Sequence, residues 1–421
     1  MHIYLVSIGE PLPSDAGTQK LLRTGTLFHY LLSQGHRVTW WTSSFNHTLK
    51  KQRCDKDEID HVGEKGRIVK LYAPGYKKSV SMLRFVNHSL LGYKFNHYMK
   101  YEVKPDVIVT SYPAIELAFS AIYIAKKHNI PCLVDARDMW PDTIFTHFKN
   151  PLVRTTVKIA LYHMTLMAKY VFTHADSLIG ITDEFVKWGG SYAKNRNTIN
   201  DKSFPLTSKI KVGNIDKIDA ARAQWGRLLP ACDNTFLVCF FGVISDRKFD
   251  FRSVFKASKK LNESGYNVKF VLCGLGDDFK RYEAQNNDKA IVFPGWVDAP
   301  EILTLMEMAD IGLAPYRSSD DFKISVPIKF YEYMSEGLAI VSCLDGVSCE
   351  LIESNKIGLK YNEGDAHSLF NCLVRMIEDR QFRRYCSDRA KKLYTERFDE
   401  EYIFLKMMSH IEKVRLKFTL N

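Results

Sequence analysis

Lys329 and Glu332, three residues apart in VPIKFYEYMSEGLAIVS (residues 326–342), fall on one side of a helix if a helix runs there. An ammonium beside the free N–H groups of a helix start attracts an anion, and a carboxylate accepts both hydrogen bonds of a vicinal diol. The pair therefore suits a phosphorylated ribose. A solvated surface helix could carry the same two residues, but the aromatics of FYEYM argue that this side is not freely solvated. The flanks supply the helix: Pro327 suits a first helical position, Gly337 the left-handed residue past a helix end, and LAIVS an interior parallel strand.

Four other stretches hold candidate chemistry. In SIGEPLPSDAGTQKLLR, Gly17 and Thr18 open the helix expected over 18–34, and a glycine there lets a phosphate approach the helix start; an ordinary glycine turn reads the same. VDARDMWPD gathers Asp135, Arg137, Asp138 and Asp142 at the exit of a buried strand, where they position sugar hydroxyls or a leaving phosphate, or else brace the loop as ion pairs. FFGVISDRKFDF sets Gly242 at a strand end with Arg247 and Lys248 beyond it, a diphosphate clamp or simply solvated charges. In PGWVDAPEIL, Trp296 and Val297 offer an apolar wall for a flat base. Thr182, Asp183 and Glu184 read as a helix cap and its acidic first turn.

These groups must be held by elements, and the elements alternate. HIYLVSI, RVTWWTS, DVIVTS, PCLVDA and SLIGIT are strands separated by helical patterns; a second series runs through TFLVCFFG, NVKFVLCG, AIVFPGW, IGLAPY, LAIVS and GLKY. Alternation of this kind implies α/β architecture with parallel sheets. Ligands of open sheets bind beyond the carboxyl ends of the strands, so two such sheets facing each other define one cleft. The expected domains are 1–205, 206–398 and a C-terminal helix over 399–421 that docks back on the first. That helix carries Tyr402, Phe404, Leu405, Met408, Ile411 and Val414 at helical spacing.

A chain of 421 residues with 46% hydrophobic and 25% charged content is a folded, soluble, multi-core protein by composition. No signal peptide and no bilayer-spanning run is evident, and nine cysteines without a CxxC pair fit a reducing compartment. A cytoplasmic location is expected. The formal charge of +11 favours an anionic partner, but no nucleic-acid-binding signature accompanies it, so nucleic acid is not expected. Residues 75–101 interleave Lys77, Lys78 and Arg84 with Met82, Leu83 and Phe85, which suits a helix lying on an anionic membrane surface, or an ordinary helix with solvated lysines.

Taken together, GHRVTWWTS, GWVDAPEILTLMEMADIGLAPY and PIKFYEYMSEGLAIVS resemble the retaining GT-B glycosyltransferases of family GT4, particularly bacterial ones that build surface polysaccharides. The resemblance implies two Rossmann-like domains, a nucleotide-sugar donor held mostly by the C-terminal one and an acceptor by the N-terminal one. It assigns Glu332 to the ribose. It also implies front-face transfer with retention and no metal or other cofactor; with the membrane reading of residues 75–101, the expected acceptor is a polyprenyl-diphosphate-linked saccharide met at the inner leaflet. Three positions depart from the pattern. Ile324 stands where the first glutamate of the pair belongs, leaving Ser325 as a neighbour for the sugar. Val243 replaces the strand-end arginine, with Arg247, Lys248 or Lys329 as substitutes. Arg137 or Asp138 replaces the acceptor-side histidine, which makes them the catalytic candidates. A nucleotide-sugar epimerase and a binding partner without catalysis remain the alternatives.

Overall fold

The computed structural model describes residues 1–15, 20–78, 81–146, 148, 150–193, 196–229 and 235–420. The chain divides into two compact units, Met1–Pro205 with Glu401–Asn421, and Leu206–Glu400.

The strands of the first unit are β1 (His2–Val6), β2 (Arg37–Ser43), β3 (Phe45–Asn46), β4 (Lys51–Gln52), β5 (Glu58–Val62), β6 (Gly66–Leu71), β7 (Val107–Tyr112), β8 (Cys132–Ala136), β9 (Ser177–Gly180) and β10 (Lys202–Ser203). Eight of them form one sheet in the order β10-β9-β8-β7-β1-β2-β6-β5, while β3 and β4 pair as a separate antiparallel ribbon. The sheet is parallel except at its β5/β6 edge. Sequence periodicity gives no warning of that edge, since EIDHV contains no apolar run. Strands covered on both faces bury every residue, as β7 and β8 do, and this forces even Asp135 into the interior.

The C-terminal helix Glu400–Leu420 completes this unit's core, with Phe404, Met407, Ile411 and Val414 packed among Leu5, Phe28, Leu31 and Trp40. Its buried stripe is rotated from the one expected. Tyr402 and Leu405 are exposed, and Met407 and His410 take their places inside. His410 Nε2 lies 2.9 Å from Ser177 Oγ, which gives the buried imidazole a polar partner.

The second unit holds β11 (Phe236–Phe241), β12 (Val268–Cys273), β13 (Ile291–Gly295), β14 (Ile311–Ala314), β15 (Ala339–Ser342) and β16 (Gly358–Lys360). They form a wholly parallel sheet in the order β13-β12-β11-β14-β15-β16. Strand order reverses at β11, so the crevice of this sheet opens past the carboxyl ends of β11 and β14. The helix Ile328–Glu336 follows β14, with Pro327 as its N-cap and Gly337 ending it at φ 73°. Tyr333 fixes the rotation of that helix. Its ring lies over Gly312 of β14, where any Cβ would stand 2.5 Å from a ring carbon, and its hydroxyl donates to the Leu313 carbonyl at 3.0 Å. With Phe330, Tyr331, Tyr333 and Met334 buried, Lys329 and Glu332 are left at the partly exposed side.

Candidate functional site

The end of β11 is built by two glycines. Gly242 and Gly274 follow adjacent strands, and a Cβ on Gly274 would lie 1.8 Å from the Gly242 carbonyl oxygen. The Lys329 ammonium comes down on the same spot, 2.6 Å from where a Cβ on Gly242 would be. Around it stand three rings: Phe249 at 4.9 Å, Phe240 at 5.1 Å and Tyr316 at 5.3 Å from Nζ to centroid. Ring faces attract a cation. Lys329 Nζ also donates to Tyr316 Oη at 3.3 Å. Burial, and then the charge of Glu332, push the Tyr316 hydroxyl well above its ordinary pKa, so it stays a neutral phenol. One turn further along, Glu332 accepts a hydrogen bond from Ser208 Oγ at 3.1 Å. The result is a fixed positive charge at the switch point of the sheet, with a carboxylate beside it whose rotamer is steadied by a serine.

The other expected donor-side residues divide. Arg247 and Lys248 are exposed, so the structure places their charges in solvent, whereas Lys329 is the cation at the glycine. What braces their loop is Asp246, which accepts from Arg281 at 2.7 Å and Tyr282 at 2.5 Å and whose carbonyl accepts from Arg317 Nε at 2.6 Å. Val297 belongs to the unit's core, which leaves Trp296, 72% exposed, as the open member of that pair. Ser325 Oγ donates to the Asp321 carbonyl at 2.8 Å, so its hydroxyl proton is engaged within its own loop. Ile324 beside it is partly buried. Gly17 and Thr18 lie outside the described residues.

In the first unit the VDARD cluster forms a buried ionic network. Asp135, with no exposed surface, pairs with Arg23 Nε at 2.9 Å and Arg137 Nη2 at 2.7 Å, while Arg137 Nη1 reaches Glu10 and lies 3.0 Å from Thr24 Oγ1. Burial acts to raise the Asp135 pKa, but Arg137 and Arg23 outweigh it and hold the carboxyl below its usual range. Arg23 adds hydrogen bonds to the Phe204 and Pro205 carbonyls at 2.8 and 3.1 Å. Every nitrogen of the Arg137 fork is engaged by protein, which is the geometry of a loop brace. Asp135→Ala strips the buried Arg23 guanidinium of its paired carboxylate and leaves Arg137 with Glu10 alone, and is expected to cost about 3–5 kcal/mol of unfolding free energy. Urea denaturation reads this directly, and an unchanged midpoint would mean the network contributes nothing.

Asp138 caps its own loop, accepting from the Met139 N–H at 2.7 Å and Thr143 Oγ1 at 3.2 Å. Asp142 accepts from Trp188 Nε1 at 2.8 Å. Lys77 and Lys78 are exposed and Phe85 is half-buried. Arg84 lays its guanidinium 4.2 Å from the Trp140 ring centroid, within the influence of Asp138. Among the described residues no three His, Cys, Asp or Glu side chains are grouped to hold a metal ion. Ser208, Tyr316, Gly274, Glu10 and Arg23 carry much of the geometry and have no local signal in the sequence.

Residues 229–393 match the family described as Glycosyl transferases group 1. Among solved structures, sucrose-phosphate synthase of Thermosynechococcus elongatus superposes with a TM-score of 0.71 at 16% identity, covering 98% of each chain. The Anabaena protein HepE in complex with UDP-glucose gives 0.64 at 15% identity over 98% of this chain and 100% of its own. WaaG, a glycosyltransferase involved in lipopolysaccharide biosynthesis, gives 0.62 at 14% over 98% and 99%. No curated protein sequence matches. The sheet topology and these superpositions give the chain the GT-B fold, with the match to the glycosyl transferases group 1 family confined to its residues 229–393.

Proposed function

We propose that this protein is a retaining glycosyltransferase that moves a sugar from a UDP-sugar to a lipid-linked saccharide acceptor in bacterial surface-polysaccharide synthesis, at the cytoplasmic face of the membrane. The observation that carries the reading is the Lys329 ammonium fixed on Gly242 at the β11/β14 switch point, with Glu332 one turn away. In this reading the donor diphosphate lies against Lys329 and the first N–H groups of helix Ile328–Glu336, and the ribose diol against Glu332. Bond breaking places extra negative charge on the leaving diphosphate, and a cation already in position stabilises that charge without reorganising. Lys329 does so in place of the strand-end arginine that Val243 replaces. The departing phosphate then takes the acceptor proton on the same face, which retains configuration and needs no metal. HepE, known in complex with UDP-glucose, supports the donor class, and WaaG, involved in lipopolysaccharide biosynthesis, supports the surface-polysaccharide role.

Membrane attachment is peripheral in this reading. No helix among the described residues is long and apolar enough to cross a bilayer. Exposed Met82, Leu83 and Val86 stand near exposed Lys77 and Lys78, and helix Pro151–Ala160 buries none of its residues while presenting Leu152, Val153 and Ile159 with Arg154 and Lys158. Apolar side chains mixed with cations suit an anionic interface. The test is thermal stabilisation by a panel of UDP- and GDP-sugars, followed by NMR of the product's anomeric configuration. A bound donor raises the melting temperature by mass action. No stabilisation by any nucleotide sugar, or an inverted product, overturns the proposal.

A further inference from the structure

In the first unit, two cations meet over one buried tyrosine. Lys50 Nζ is 5.1 Å and Arg84 Cζ 5.9 Å from the centroid of the Tyr76 ring, which is 6% exposed. His47 Nδ1 lies 2.8 Å from Tyr76 Oη and 3.2 Å from Lys50 Nζ, and Arg84 Nε lies 3.5 Å from His88 Nε2. His88 in turn faces Glu116 at 3.5 Å, and Asp138 acts on Arg84 from the loop after β8. The acids therefore serve the Arg84 and His88 end. At the Lys50 end the charges acting on His47 are all positive: burial first, then Lys50, Arg84 and His88, push its pKa down to about 4. Burial and Arg84 likewise lower the Lys50 pKa. Like charges focused on one ring repel each other, and an anion between them relieves that repulsion.

We infer that Lys50, His47, Tyr76 and Arg84 form a binding site for a phosphate or diphosphate ester, and that its occupant is the phosphorylated head of a lipid-linked acceptor. The chemistry fits at each atom. The Lys50 ammonium, the Arg84 guanidinium and the Nε2–H of the His47 imidazole are able to donate, and phosphate oxygens only accept. The lipid assignment comes from the neighbours: Met82, Leu83 and Val86 are exposed on the helix that carries Arg84, and Lys77 and Lys78 follow Tyr76 directly. That assignment rests on the transferase reading, whereas the anion site itself stands on the cluster.

The experiment titrates farnesyl diphosphate, inorganic pyrophosphate and farnesol into protein carrying Lys329→Met, so that the cation of the second unit does not contribute. Lys50→Asn removes one charge while tolerating the left-handed backbone at that position, φ 53°. Arg84→Gln removes the other. Each is expected to weaken farnesyl diphosphate about 10-fold. Lys50→Asn lies on a surface turn and carries the test alone if Arg84→Gln melts early. Diphosphate binding that beats farnesol and is lost in the variants supports the site; farnesyl diphosphate tighter than pyrophosphate identifies the lipid source, and equal affinities a soluble phosphate ester. Binding of neither diphosphate, or unchanged affinity in both variants, overturns it. Stabilisation by a UDP-sugar, measured with Lys329 intact in the Lys50→Asn protein, is expected to be preserved. Its absence in wild type as well would reject the donor reading while leaving the anion site to its own result.

Discussion

Lys329→Met is expected to lower kcat for sugar transfer by about 10²–10³-fold, the loss typical when one preorganised stabiliser of developing charge is removed. Methionine keeps the length and apolar stem of lysine, so the box of Phe240, Phe249 and Tyr316 stays filled and the fold is preserved. What disappears is the positive charge at Gly242. Because that charge acts mostly on the leaving diphosphate, the defect falls on kcat more than on donor KM. Lys329→Arg is not expected to rescue, since the planar fork is wider than an ammonium and Gly242 already leaves the smaller group no slack. Steady-state kinetics with the best donor of the panel decide it. A kcat within threefold of wild type would transfer the role to Arg247 or Lys248.

Glu332→Ala is expected to show the opposite split. A carboxylate accepting from a ribose diol makes charge-assisted hydrogen bonds worth about 1.5–3 kcal/mol, and the ribose is remote from the bond that breaks. Donor KM should therefore rise about 10–100-fold with kcat little changed. The variant should also stop discriminating between a UDP-sugar and its 2′-deoxyribose counterpart, a readout that general loss of structure does not mimic. Ser208, which donates to Glu332 at 3.1 Å, should give a weaker version of the same phenotype when changed to alanine. Equal discrimination in wild type and Glu332→Ala would remove the ribose assignment.

The two expected phenotypes separate residues that lie on one turn of one helix, and that turn was legible in the chain. Pro327, Gly337 and the apolar run after it bound the helix from sequence; the structure starts it one residue later, at Ile328 with Pro327 as N-cap, and places Gly337 as the left-handed residue past its end at Glu336. Local rules suffice there, because a cap, a left-handed stop and an interior strand depend on neighbours within a few residues. The same holds for the alternation of strands and helices that yields GT-B architecture. Side-chain partners were less legible. VDARD reads equally well as a ligand site or as a brace, and only the fold brings Arg23 to Asp135 and Glu10 to Arg137, across 112 and 127 residues of chain. Basic and apolar residues around Arg84 read equally as a membrane face or an ordinary solvated helix, and only the fold brings that guanidinium to Trp140.

Sequence alone thus determined the periodicity, the strand ends and the identity of the helix that bears Lys329 and Glu332, since backbone conformation and burial pattern are local properties. Tertiary structure alone decided which cation stands at Gly242, which serine holds Glu332 from 124 residues away, and which charges are consumed in bracing. The reason is physical. Charge pairing acts over a few ångströms of space, and distance along a chain carries almost no information about distance through it.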